Sequence, residues 1–342
     1  MAEAFPDFTP VNLLTGFLGS GKTTLLQRLL ADPQLSDCAV LINEFGEVGL
    51  DHHLLERIDE TMVLLQSGCV CCTIRGELSD AIKDLHERRA RGEIPPFRRL
   101  VIESTGLADP FPILSTVHSD PVLRHHFRLG NVVATIDAVN AAHQLDAQEE
   151  CAKQIAVADR LVLTKTDIAE ADAVDRLLER ITAINPAAPL WRSAESPPTA
   201  EELLSQDDAA LPDESIRPRP HSHHHAHTHS DIRAFAPMFD APLDWTLFGI
   251  WLTMLLNRHG QRILRVKGIL NIEGSDTPVA IHGVQHLVHP PVHMRAWPDS
   301  NRQSRLVFIM RGLEPGRIAQ SLRAFGLAGA TSTKSDGVGS EA

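Results

Sequence analysis

Apolar positions in the first half of the chain fall into two alternating patterns. The runs "VNLLTG" (11–16), "CAVLINEF" (38–45), "RLVIEST" (99–105), "NVVATIDAV" (131–139) and "DRLVLTKTD" (159–167) are short, β-branched and nearly continuous. Continuous runs of this length suit strands covered on both faces. Between them, "KTTLLQRLLAD" (22–32) and "AVDRLLERITAIN" (173–185) repeat apolar residues at three- and four-residue spacing, as helices with one buried stripe do. The alternation predicts parallel strands joined by crossover helices, an open and mostly parallel α/β sheet from Val11 to about Leu190.

The pattern then changes. Residues 193–231 are rich in Ser, Pro, Asp and His and show no apolar period, so they read as a linker. A strand is expected near "DIRAFAP" (231–237) and a helix from about Asp244 to His259, with Gly260 as a left-handed stop. Three strand-like runs follow, "ILRVKGILNIEG" (263–274), "PVAIHGVQHLVH" (278–289) and "SRLVFIMRG" (304–312), then a helix from about Glu314 to Phe325. The expected organisation is an α/β domain at 1–192, a linker at 193–231, a smaller α+β domain with a mixed sheet at 232–328, and a disordered tail at 329–342.

Composition narrows the partners. With 43% hydrophobic and 22% charged residues the chain is an ordinary globular protein. Its formal charge of -12, from 32 basic and 44 acidic residues, argues against nucleic acid or an anionic membrane as main partner. The longest apolar stretch, "WTLFGIWLTMLL" (245–256), is short of the ~20 residues a spanning helix needs. The N-terminal "MAEAFPDFTP" lacks the basic and apolar blocks of an export signal. A cytoplasmic, reducing location is therefore expected, where thiols bind metal more readily than they pair.

Three motifs point to a nucleotide. "GFLGSGKT" (16–23) fits G-x-x-x-x-G-K-[ST] between a strand and a helix, where the backbone N–H groups of Gly16, Gly19, Ser20 and Gly21 can cradle phosphate oxygens. Lys22 would reach the β- and γ-phosphates, the Thr23 hydroxyl would bind magnesium, and Thr24 continues the motif. "LVIESTG" (100–106) ends a strand in Glu103, which can hold magnesium, and three residues on in Gly106, whose N–H can meet a γ-phosphate. In "LVLTKTD" (161–167) the Asp167 carboxylate can accept both guanine N–H donors while the Lys165 stem lies along the ring. Guanine loops more often start with Asn where this chain has Thr164. A helix N-cap at Thr166 or Asp167 is an alternative reading.

The stretch "LLQSGCVCCTIRG" (64–76) holds three of the five cysteines, Cys69, Cys71 and Cys72. Neighbours this close make strained disulfides, so a soft-metal site is the first reading. Three thiolates leave a tetrahedral zinc site one ligand short. "NEFGEVGLD" (43–51) offers Glu44, Glu47 and Asp51, with His52 and His53 just beyond. A fixed structural zinc, or unliganded buried thiols, remain alternatives. Cys38 and Cys151 stand alone and read as packing residues. "HSHHHAHTHS" (221–230) carries six histidines, which read as a metal-collecting arm or as a solvated linker.

Together "GFLGSGKTTLL", "NEFGEVGLD", "SGCVCCTIRGEL", "VIESTGLADP" and "TKTD", with "ILRVKGIL", "GVQHL" and "SRLVFI" in the second half, resemble the CobW-type metallochaperone GTPases. The resemblance spans nearly the whole chain. It implies a P-loop fold and slow GTP hydrolysis with magnesium. It also implies zinc bound by Cys69, Cys71 and Cys72, with Glu44 as a family acid near metal and nucleotide, and delivery to a client metalloenzyme. Cobalt or iron cargo, and a storage or sensing protein with structural nucleotide, are the alternatives. The second domain is the expected client-docking surface, and a homodimer is left open.

Overall fold

Each of the five apolar runs in the first half is a strand, and two further strands join them in the computed structural model, which describes residues 8–35, 37–45, 62–67, 73–205 and 231–327. The strands are β1 (Thr9–Gly16), β2 (Cys38–Phe45), β3 (Met62–Ser67), β4 (Arg99–Glu103), β5 (Phe127–Asp137), β6 (Arg160–Thr164) and β7 (Leu190–Arg192). Their spatial order is β3-β2-β4-β1-β5-β6-β7 and every pairing is parallel. The crossovers include α1 (Lys22–Leu30), α2 (Thr73–Arg91), α3 (Pro110–Ser119), α4 (Pro121–His126), α5 (Ala141–Ala147), α6 (Glu149–Val157) and α7 (Ala171–Ile184). On one face Leu14, Val40, Val101, Val133 and Val162 of the strands pack with Leu25, Leu26 and Leu29 of α1. The intervening strand residues Leu13, Leu41 and Ile102 are equally buried, so the sheet is covered on both faces, as parallel sheets are.

Part of the expected linker is structured. Thr199 and Glu202 form a capping box that starts α8 (Ala200–Leu204), and Ala200, Leu203 and Leu204 join the α1-side core. Three apolar residues on one short helix are too few to register as a period in a Ser- and Pro-rich stretch. The chain divides at residues 230 and 231 into two compact units.

The second unit is built from β8 (Ile232–Phe235), β9 (Met238–Phe239), β10 (Ile263–Leu270), β11 (Val279–Val284), β12 (Leu287–Val288), β13 (Val292–His293) and β14 (Ser304–Arg311), with α9 (Trp245–His259) and α10 (Pro315–Ala324). Its sheet runs β12-β11-β10-β14-β8, with β13 on β11 and β9 on β14. The strand pairings are antiparallel, not mixed. Phe248 and Trp251 of α9, Ile318 and Leu322 of α10, and Val266, Ile281 and Phe308 of the sheet share one core. Trp251 Nε1 donates to Ser321 Oγ at 3.0 Å and ties the two helices.

Helix α9 begins and ends where the sequence places it, with Asp244 accepting from the Leu247 N–H as N-cap. Gly260 is not left-handed: φ is -54° and ψ -37°. What demands a glycine is room, since a Cβ there would lie 2.5 Å from the Leu256 carbonyl oxygen and 3.0 Å from the His286 Cβ.

Candidate nucleotide site

The loop after β1 turns back over the sheet edge because its glycines permit it. Gly16 (φ 139°), Gly19 (71°) and Gly21 (89°) hold backbone angles that favour glycine. At Gly16 a side chain is also barred by Thr135 Oγ1, and by Ser20 Oγ 2.7 Å from where a Cβ would sit. Ser20 and Thr135 hydroxyls bond at 2.6 Å, pinning the loop to β5. Lys22, the first residue of α1, is buried and its Nζ donates to the carbonyls of Gly16 (3.0 Å) and Phe17 (3.1 Å). The ammonium thus lies inside the curl of the loop, where a bound anion would meet it. Thr24 is exposed on the first turn of α1.

Glu103 closes β4 and is 5% exposed. The Thr23 hydroxyl donates to its Oε1 at 2.8 Å. Two hard oxygen donors so close beside a phosphate-type loop are the donor set magnesium takes, and the residues fit that ion. Gly106 lies in the turn that follows, where the Ala108 N–H donates to the Thr105 carbonyl at 3.1 Å. A Cβ on Gly106 would stand 2.5 Å from the Leu18 nitrogen, so only glycine lets this turn rest on the tip of the loop at 16–21.

At the end of β6, Thr164 is buried and its hydroxyl faces the carbonyls of Ser20 (2.9 Å) and Ile136 (3.1 Å). One short side chain thereby fastens the loop at 164–167 to the phosphate-type loop. Lys165 is left-handed (φ 59°), and its Nζ meets Asp137 Oδ2 at 2.7 Å. Asp137 was not singled out by the sequence, although it too ends a strand. It is 1% exposed and accepts from the backbone N–H groups of Val139 and Asn140 and from Asn140 Nδ2. Burial raises its pKa, yet the bonds from Lys165, Asn140 and the backbone outweigh that and hold the carboxyl below its ordinary value. Asp167 is exposed on the same turn, open to a ligand.

Because all seven strands are parallel, every one of these groups sits at the carboxyl edge of one sheet, where open α/β folds bind ligands. Glu44 is the last but one paired residue of β2, opposite Gln66 of β3; its side chain lies outside the described residues. Cys69, Cys71 and Cys72 and the histidines of 221–229 also lie outside them. The three cysteines fall between the end of β3 at Ser67 and the start of α2 at Thr73, in a connection leaving that same edge. Among the described residues no group of three His, Cys, Asp or Glu is arranged to hold a metal. Cys38 and Cys151 are buried, and burial pushes each thiol up to about 12, which suits packing and not metal binding.

A strand–glycine-loop–helix, a buried lysine in its curl and a Thr–Glu oxygen pair define a P-loop nucleotide-binding protein. Residues 10–192 match the CobW/HypB/UreG nucleotide-binding domain and 232–326 the cobalamin synthesis protein cobW C-terminal domain, and the chain belongs to the CobW family. It is 37% identical over 299 residues to the zinc chaperone YjiA of Escherichia coli (strain K12), covering 87% of this chain and 93% of that one. To the zinc chaperone CobW of Pseudomonas aeruginosa it is 30% identical over 347 residues, covering 92% of this chain and 90% of the relative. The crystal structure of Zn(II)-bound YjiA GTPase from E. coli superposes with a TM-score of 0.72 at 32% identity, covering 94% of this chain and 99% of that one.

Proposed function

We propose that this chain is a GTP-hydrolysing metallochaperone that binds zinc at Cys69, Cys71 and Cys72 and transfers it to a client metalloenzyme. The observation that carries the reading is the shared sheet edge. The P-loop follows β1, Glu103 ends β4, Glu44 lies near the end of β2, and the cysteines follow β3. Three strand spacings separate β3 from β1, about 14 Å in all. On this reading the loops leaving β2 and β4, which lie between β3 and β1, couple the metal and the nucleotide. The names of the relatives support both zinc and GTP.

In this reading Gly16, Gly19, Ser20, Gly21 and Thr24 bind phosphate through the backbone at the start of α1, and Lys22 neutralises the β- and γ-oxygens. Thr23 and Glu103 hold magnesium, and the Gly106 N–H meets the γ-phosphate. Thr164, Lys165 and Asp167 face the guanine, with Asp167 accepting from the base. Glu44 stands near metal and nucleotide as the acid of the switch. Hydrolysis of GTP by water is slow unaided, and the client docks through the second unit. The protein works in the cytoplasm without nucleic acid or membrane. No described helix is long and apolar enough to cross a membrane.

The test is a cobalt(II) and zinc competition titration followed by the thiolate-to-metal absorption band. It is run without nucleotide, with GDP and with a non-hydrolysable GTP analogue, and Cys71→Ser serves as control. A gain of ~1–3 kcal/mol in zinc affinity with the analogue is expected, with the band lost in Cys71→Ser. Equal affinity in all three states sinks the switch and leaves a storage site. Preference for cobalt over zinc in the competition sinks the zinc assignment.

A further inference from the structure

Buried polar side chains in helices are rare unless a fixed partner holds them, and α6 carries one facing the nucleotide site. Gln154 is 1% exposed. Its Nε2 donates to the carbonyls of both Gly106 (3.1 Å) and Ala108 (3.1 Å). Both partners accept only, so the amide nitrogen must be the end that faces them. The bonded carbonyls are those of the turn that rests on Leu18 of the P-loop. The planar peptide that carries the Gly106 oxygen also contains the Gly106 Cα, so fastening that oxygen holds Gly106 itself in place against the P-loop. The turn cannot flip that peptide or draw back from the P-loop without breaking with Gln154.

A second contact ties the same helix to the same loop. Lys153 Nζ lies 4.0 Å from Asp109 Oδ2, and Asp109 is the N-cap that starts α3, accepting from the Phe111 N–H. Helix α6 therefore holds the loop at its turn and at its exit.

We infer that Gln154 is a positioning residue of the γ-phosphate loop: it holds Gly106 where its N–H can meet a third phosphate, and so sets the preference for GTP over GDP. The inference rests on the GTPase reading above. GDP has no γ-phosphate and does not use the Gly106 N–H, so loss of the latch changes GTP binding and turnover far more than GDP binding.

The experiment compares Gln154→Met, which keeps the volume and removes the donor, with Gln154→Asn, whose shorter amide cannot span both carbonyls. Binding of fluorescent GDP and of an imido analogue of GTP is measured with magnesium, beside steady-state hydrolysis and thermal unfolding on the full chain. In both variants analogue affinity and kcat are expected to fall about tenfold, with GDP affinity within about twofold of the parent. A parallel fall for both nucleotides, no change, or tighter analogue binding overturns the inference. If the parent chain neither binds the analogue nor turns over GTP, the GTPase reading itself fails, a separate outcome. Should Gln154→Met not fold, Gln154→Asn decides alone.

Discussion

Single residues of the loop at 164–167 show how a candidate site can be legible in type and still hidden in wiring. Thr164, Lys165 and Asp167 stand out in the sequence because a strand runs into a Lys and an Asp. The threonine reads there as a departure from the common asparagine. In the structure its hydroxyl reaches the Ser20 and Ile136 carbonyls, the kind of cross-loop bond a longer amide could also make. Asp137 escaped notice because its function depends on Lys165, twenty-eight residues away, and no local spacing announces a pair that distant. Its carboxyl is held below the ordinary value, which fixes the sign of its pH dependence. A carboxylate with a lowered folded pKa stabilises the fold above its unfolded value, about 3.9, and loses that contribution as pH falls through the folded value. Comparison of the parent with Asp137→Asn by chemical denaturation should give a constant stability difference from pH 8 to about pH 5, shrinking on further acidification. A difference that grows in acid would contradict the pairing.

Elements are legible in the sequence where they are long or periodic, and hidden where a few residues are fixed by partners elsewhere. Strand β2 and helix α9 have the ends that the sequence sets. Strand β7 has three residues and exists because β6 offers it a ladder. The α3–α4 junction is another such place. Asp120 accepts from the Val122 and Leu123 N–H groups as N-cap of α4, from Ser79 Oγ at 2.6 Å and from Lys83 Nζ at 2.7 Å on α2. Burial works against its ionisation, but these donors prevail and lower its pKa. Asp120→Ala should cost about 1–2 kcal/mol, mostly through the lost cap, and Lys83→Met much less, since a part-exposed ion pair contributes little. Denaturant midpoints check the ranking; equal losses would move the weight from the cap to the ion pair.

At the scale of the whole molecule, the pattern changes after residue 192, the chain divides at residues 230 and 231, and the second unit has its own core of aromatic and aliphatic residues around Trp251 and Phe308. The antiparallel character of its sheet was not legible, because alternation along one strand says nothing about the direction of its neighbour. A fragment spanning residues 231–327 should unfold cooperatively on its own and show no thermal shift with GDP. GDP at a hundred times its Kd should stabilise the full chain by ~2.7 kcal/mol. A nucleotide-induced shift in the fragment would contradict this division.

Parallel strands also bear on how such a protein changes by descent. In the proposed reading each task takes the connection after a different strand: phosphate after β1, magnesium after β4, base after β6, and the cargo metal after β3. No two of these tasks share a connection. On that reading, substitutions at 68–72 would alter which ion is carried while the nucleotide loops are inherited intact. A lineage that exchanges one cargo for another need rewrite only that short connection.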